Sequence, residues 1–447
     1  MRYIPHTDDD IQQMLDTVGV TSIRDLFGDI PDALYLKEPL PIPKGLDEHV
    51  LLKHMAHLAA QNADAGSYIS FLGAGAYDHF IPSIVPTLIS RGEFLSAYTP
   101  YQPEASQGLL QSIFEFQTMV CELTSMELAN ASMYDAATAL AESALMACQI
   151  AGRSRVVVSR SIHPHYRQVL KTYLWTNSRE LVEVPCPDGA SDLEALRQSI
   201  DEQTACVLVQ YPNFFGLIEP LAPVVDLAHG VGALAIVCAD PIALGVLKPP
   251  GEYGVDIVVG EGQSLGNSMG FGGPFLGLFA CKQTYIRRIP GRIVGQTTDS
   301  EGRRGYVMTL RTREQDIRRE KATSNICTNE ALCALASTIF MSALGKQGFR
   351  ALAETCTQKA HYAAERLTKL PGVSLRFPSV PFFKEFVLNL PLPAQAVCER
   401  LLKERIIAGL PLSSYFADME NALLVCVTET KTREEIDRFV QVMESVL

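Results

Sequence analysis

The chain has 447 residues, 47% of them apolar and 20% charged, enough for about two to three domain-sized units and a large core. Thirty-eight Lys and Arg stand against 50 Asp and Glu, a formal net charge of −12 that argues against wholesale binding to nucleic acid or an anionic membrane. The opening MRYIPHTDDD lacks a basic segment followed by an apolar one, and no run approaches the roughly 18 apolar residues of a membrane span. Eleven cysteines without a CxxC pair read as reduced, mostly buried thiols, so neither a zinc nor a dithiol centre is expected. The expectation is a cytoplasmic globular protein that holds no metal.

In chain order, Thr7 and Asp10 cap a first helix with Ile11, Met14, Leu15 and Val18 on one face, and Gly19 stops it. A short helix around residues 23–27 and the proline-spaced EPLPIPKGL follow. Residues 1–65 therefore read as an N-terminal helical arm that lies on another surface. From about residue 105, long helical text such as SQGLLQSIFEFQTMVCELT and AATALAESALMACQIAG alternates with short β-branched runs. These are RVVVSR, LVEVP, ACVLVQYP, LAIVCAD and DIVVG. That alternation predicts an α/β fold with a mostly parallel sheet covered on both faces, spanning 66–327. FLGLFACK, after a glycine turn, is expected to pair antiparallel. Residues 328–447 read as a smaller C-terminal α/β domain, whose last helix opens on a Thr432–Glu435 capping box.

Ligands of open α/β sheets sit outside the carboxyl ends of the strands, and three such places stand out. Asp240 closes LAIVCAD, where a carboxylate can pair with a heterocycle nitrogen or simply cap the strand end. The loop QSLGNSMGFGGP after DIVVG looks like part of a site, yet it carries no lysine, histidine or cysteine. In sheet-based pyridoxal enzymes the Schiff-base lysine stands some two dozen residues after such an Asp; here the residue 24 positions on is Ser264, which cannot form an imine. Asp135 opens the alanine-rich helix, where a phosphate would suit the helix N-terminus but an acidic N-cap would repel it. GAGAYD (73–78) is only a fragment of a nucleotide-type glycine pattern. The loops AYDHF and YTPYQPEAS supply Tyr77, His79, Tyr98, Tyr101, Gln102 and Glu104 as cleft-lining candidates.

Taken together, SFLGAGAYDHFIP, YTPYQPEASQG, ANASMYDAATALAE, QYPNFFG and RREKATSNICTNEAL closely resemble glycine decarboxylase, the pyridoxal-dependent P-protein of the glycine cleavage system. The resemblance runs along essentially the whole chain and fits the N-terminal half of that enzyme, which many prokaryotes make as subunit 1 beside a separate subunit 2. It implies the aspartate-aminotransferase-like (PLP fold type I) architecture in both halves, with the cofactor lysine only in the second. Pyridoxal 5′-phosphate would then be bound covalently by the partner subunit, and Ser264 would mark the silent copy. The implied reaction takes glycine, releases carbon dioxide and passes the aminomethyl group to the lipoyl arm of the H-protein. The implied assembly is a heterodimer or a dimer of heterodimers.

On this reading Thr323, Ser324 and Asn325 stand near the shared interface. Residues 301–321 hold seven basic side chains against four acidic ones, and Arg303 and Arg304 there are candidates for attracting an acidic carrier. Two other readings compete: a purely structural scaffold that stabilises its catalytic partner, and a free-standing enzyme with another nucleophile such as Cys327.

Overall fold

The structure, a computed structural model, describes residues 5–38, 40–95 and 99–447. The chain divides into two compact units, 1–63 and 64–447. The first unit is short helices: Asp8–Val18, a 3-10 turn at Ile23–Phe27, and Glu48–Ala59. The first of these carries the expected Thr7–Asp10 capping box and ends on Gly19 in the left-handed region. Leu15 is the unit's single buried side chain among the described residues, while Leu26, Phe27, Leu34, Leu36, Ile42 and Leu52 are exposed. Sixty residues with one buried leucine do not make a self-supporting core.

In the second unit the strands are β1 (Ile69–Ser70), β2 (Leu128–Ala129), β3 (Arg155–Ser159), β4 (Glu180–Val184), β5 (Thr204–Tyr211), β6 (Leu234–Ala239), β7 (Ile257–Glu261) and β8 (Gly277–Cys281). There follow β9 (Ile293–Thr298), β10 (Arg304–Thr309), β11 (Ser374–Leu375), β12 (Glu385–Asn389), β13 (Ile406–Ile407), β14 (Leu410–Pro411) and β15 (Ala422–Cys426). The large sheet has the order β2-β8-β7-β6-β5-β3-β4; its pairings from β7 to β4 are parallel, and β8 lies antiparallel against β7 and β2.

Period-two alternation explains why both faces are buried. Val157, Val207, Val209, Val237 and Val258 face the layer that holds helices Gln107–Thr124 and Leu221–Gly230. Val156, Val158, Leu208, Ile236 and Val259 face the layer of helices Ala136–Ala151 and Pro164–Thr176.

Helix Ala331–Leu367, broken at Gly345 (φ 60°, ψ 179°), runs from the large sheet to the antiparallel sheet β11-β12-β15-β14. Helices Ala394–Lys403 and Arg433–Val446 contribute Val397, Leu401, Ile436 and Phe439 to the core of this second layer, the latter behind the Thr432–Glu435 box. Residues 69–71 belong by contact to the same layer. Strand β1 pairs with β13, and Phe71 stacks on Phe439 at 4.2 Å. The segment that follows, residues 73–80, is thereby led along the C-terminal layer to the carboxyl edge of the large sheet.

One buried carboxyl among the helices packed on the large sheet titrates near neutral pH. Glu142, in the middle of helix Ala136–Ala151, is 4% exposed; burial pushes its carboxyl up to about 7 against an opposing hydrogen bond from Ser324. The folded value lies above the unfolded one, so this group's contribution to stability is complete at acid pH and lost as pH rises through about 7. We expect Glu142→Gln to flatten the decline in stability between about pH 4.5 and 7. The variant should gain about 2 kcal/mol over the native chain at pH 8.5 and little at pH 5, measured by denaturant unfolding.

Candidate functional site

Strand β6 delivers Asp240 to the carboxyl edge of the sheet, and the neighbouring β7 leads into the loop that carries Ser264. Asp240 is not free. Its Oδ2 lies 2.8 Å from Nζ of Lys384, a side chain 1% exposed, while Oδ1 accepts the Ile242 N–H at 3.0 Å. Lys384 immediately precedes β12, so its ammonium reaches across from the smaller sheet's layer. Burial works against the charged amine, but the Asp240 carboxylate keeps its pKa raised. The ammonium also sits 3.5 Å from the centroid of the Tyr77 ring and 3.2 Å from His79 Nε2.

A shell of hydrogen bonds completes the cluster. Tyr77 donates its hydroxyl to Glu385 Oε2 at 2.8 Å, and Glu385 Oε1 accepts the Ala74 N–H at 2.7 Å. Gln263, next to Ser264, clamps the Tyr77 backbone by accepting its N–H at 2.9 Å and donating to its carbonyl at 3.2 Å. His79 shares Nδ1 with Glu429 Oε2 at 2.6 Å, and the Phe80 N–H donates to Glu429 Oε1 at 2.7 Å. Burial and the adjacent Lys384 cation hold the imidazole below its ordinary value. Nε2 is therefore the bare acceptor toward Lys384, and Nδ1 carries the proton given to Glu429. Burial opposes ionisation of Glu429, but its donors hold it down to about 2; burial pushes Glu385 up to about 7.

His79, Cys356 and Glu429 place three metal-type donor atoms within 4.8 Å of one another. The proton between His79 and Glu429, and an ammonium against the other ring nitrogen, make this an ion-pair cluster rather than a cation site.

The glycines of GAGAYD serve close approach. A Cβ on Gly73 would stand 2.4 Å from Glu385 Oε1 and 2.6 Å from Cys426 Cβ. In the loop after β7, Gly266 is at φ 85° against Phe340, and Gly272 and Gly273 are at φ 94° and 144°. They carry Phe271 into a fully exposed position with a positive φ of 35°. Ser264 itself is 2% exposed and its Oγ has no hydrogen-bond partner among the described residues.

The predicted cleft residues fall into two places. Tyr77 and His79 are buried in the network just described, at 9% and 7% exposure. Tyr101 is half exposed and lies elsewhere: its ring faces Arg311 at 4.9 Å, and its hydroxyl is 3.5 Å from Arg292 Nη2. Arg292 is buried and donates to the Cys327 carbonyl, Thr328 Oγ1 and Asn329 Oδ1, leaving its Nε without a partner. Gln102 and Glu104 are exposed around the 3-10 turn Pro103–Ala105, and Tyr98 lies outside the described residues.

Thr323 hydrogen-bonds the Arg313 carbonyl, Ser324 lies beside Glu142, and Asn325 is exposed. Arg303 pairs with Asp299 at 2.8 Å and Glu301 at 3.2 Å in the turn between β9 and β10; Arg304 faces the Tyr306 ring and has no carboxylate partner among the described residues. Asp135 is the helix N-cap, accepting the Thr138 N–H at 2.7 Å. Lys384, Glu385, Gln263, Arg292 and Glu429 were not anticipated. The signal for the first two was the pair KE inside the apolar run PFFKEFVLNL.

A family model described as the glycine cleavage system P-protein matches residues 1–443. The chain belongs to that family. Chains named probable glycine dehydrogenase (decarboxylating) subunit 1 share its full length. That of Desulfitobacterium hafniense is 54% identical over 446 residues, and that of Moorella thermoacetica 52% over 447, each covering 100% of both chains. A crystal structure of glycine decarboxylase (P-protein) in inhibitor-bound form is 46% identical, with a TM-score of 0.93 over 100% of both chains. A Burkholderia pseudomallei sphingosine-1-phosphate lyase, 16% identical over 92% of each chain with a TM-score of 0.66, shares the fold alone. The architecture is thus PLP fold type I, as the P-protein resemblance implied.

The residues at the carboxyl edge do not fit a pyridoxal group. The position expected to offer an amine is a buried serine, and the carboxylate expected to face the ring nitrogen is already paired with an ammonium. Removing either partner of that pair strands a buried charge. We expect Lys384→Met and Asp240→Asn each to cost about 3 kcal/mol, and the double variant to cost about 2 kcal/mol less than their sum. Urea unfolding of the four proteins decides it, and additive effects would mean the pair is not coupled.

Proposed function

We propose that this chain is the non-lysine subunit of a two-chain glycine dehydrogenase (decarboxylating), working with a second subunit that holds pyridoxal 5′-phosphate on its own lysine. The observation that supports this is the Lys384–Asp240 pair: the chain has the fold of a pyridoxal enzyme, and the strand-end carboxylate that would face a ring nitrogen is already paired with a lysine. Full-length identity of 52–55% to chains named subunit 1 supports the division of labour. Pyridoxal phosphate, when bound to the partner, supplies the electron sink that loss of the glycine carboxylate requires.

What this chain adds is surface. The arm, residues 1–63, exposes apolar side chains along most of its length and is suited to cover the partner. Tyr101, set against the guanidinium groups of Arg292 and Arg311, offers a rigid aromatic wall with cations behind it, suited to an anionic group in a shared cleft. The exposed Phe271 tip, on its glycine-bent loop, is shaped to enter a neighbouring cavity and keep water out. Thr323 and Asn325 belong to the same shared face. The H-protein's lipoyl arm takes the aminomethyl group, and the reaction runs in the cytoplasm, where the eleven free thiols remain reduced.

Each chain alone should exchange glycine carboxyl with carbon dioxide at background rate, and the mixture should restore exchange. Activity of this chain by itself would end the proposal. Tyr101→Ala separates a contributing surface from a scaffold: turnover should fall about tenfold, a loss of roughly 1.4 kcal/mol of transition-state binding, with the mixed complex eluting unchanged in size. Unchanged turnover favours the scaffold. For the carrier, Arg304 is the freer of the two arginines, since Arg303 is already held by Asp299 and Glu301. Arg304→Glu should raise the H-protein concentration needed for half-saturation several-fold at low salt and less at high salt.

A further inference from the structure

A pyridoxal cofactor makes two charged demands on its site: a helix N-terminus for its phosphate and a carboxylate for its ring nitrogen. Both places exist here. Helix Ala136–Ala151 has 16 residues and opens at the carboxyl edge of the sheet. The group at its mouth is the side chain of Glu261, the last residue of β7. Glu261 Oε2 accepts the Ala136 N–H at 3.0 Å, and Oε1 accepts the N–H groups of Leu276 at 2.8 Å and Gln263 at 3.0 Å. Three backbone amides converging on one carboxyl is the donor pattern a phosphate oxygen would find. Asp135 also stands at this mouth, with its carboxylate turned to the Thr138 N–H.

At the other place the Lys384 ammonium meets Asp240 at 2.8 Å, where a protonated ring nitrogen would be met. Tyr166 stacks its ring on His163 at 4.4 Å with 19° between planes, and burial, followed by the Glu261 carboxyl, raises its phenol well above the ordinary value. His163 is anchored in turn through Nε2 to the Ala74 carbonyl at 2.9 Å.

The geometry points to a cofactor cleft filled from within: the Glu261 carboxyl takes the place of a phosphate and the Lys384 ammonium that of a ring N–H. The chain thereby folds around its own side chains and needs no coenzyme for a stable core, and it does not compete with its partner for pyridoxal phosphate. That consequence rests on the reading of the chain as a non-lysine subunit; the filled cleft does not.

Burial pushes the Glu261 carboxyl up to about 8 against its three amide donors, so it fills the place of the phosphate as a hydrogen-bond acceptor rather than as a fixed charge. The test removes that carboxyl and offers an external anion. In Glu261→Ala the amides of Ala136, Gln263 and Leu276 lose their acceptor, so the variant should melt below the native chain. Inorganic phosphate at 20 mM, against chloride of equal ionic strength, should raise its melting temperature by about 3 °C while leaving the native chain unmoved. Glu261→Gln, which keeps an oxygen at the mouth, should show no phosphate response. If Glu261→Ala does not accumulate as folded protein, its refolding yield from denaturant reads the same site and should depend on phosphate. Phosphate dependence absent from both stability and refolding, or equal in native and variant chains, overturns the proposal. Loss of carbon dioxide exchange in the mixed enzyme would instead bear on the assembly, so the two readings fail separately.

Discussion

The ion pair between Lys384 and Asp240 is the constraint around which the second unit is organised. A buried carboxylate at the end of a central strand requires a cation, and the choice of cation decides what the fold can do. Where a cofactor supplies it, the cleft stays open to ligand. Where a lysine from the other layer supplies it, the two layers are pinned together and the cleft is spent. The long helix Ala331–Leu367 and the return of residues 69–80 along the C-terminal layer bring that lysine, Tyr77 and His79 to the same edge.

On the proposed reading as the non-lysine subunit, this arrangement gives physical content to a silent copy of a catalytic fold. The backbone requirements of the cleft are retained: a helix mouth, a strand-end acid, a glycine-rich loop. The chemistry is exchanged for side-chain contacts that need no ligand. On that proposal function lies at the periphery, where most apolar side chains of residues 5–63, the Phe271 tip and the Tyr101 ring are exposed.

Much of the fold was legible in the sequence, because the relevant physics is local. The β-branched runs from Arg155 to Glu261, the Thr7 and Thr432 caps and the Asp135 N-cap all follow from neighbours within four residues. Ser264, singled out by its spacing from Asp240, lies buried in the loop after β7. The hairpin of β9 and β10 escaped because its strands hold polar and charged residues, which read as a solvated stretch rather than as sheet. The occupant of the cleft escaped for another reason. Lys384 lies 144 positions after Asp240, and only the packing of two layers brings them within 2.8 Å. Tyr77 and His79 drew notice as polar aromatics beside glycines, which is equally the signature of lining a pocket and of plugging one.

The central claim is that Lys384, the amine that meets Asp240 at this sheet edge, is committed to that carboxylate and does not anchor the coenzyme. Reducing the reconstituted two-chain enzyme with borohydride in the presence of pyridoxal phosphate, then mapping the label by peptide mass spectrometry, tests it most directly. The label should appear only on a lysine of the partner, with the peptide containing Lys384 unmodified. A pyridoxyl group on Lys384, or on any lysine of this chain in proportion to activity, would contradict it.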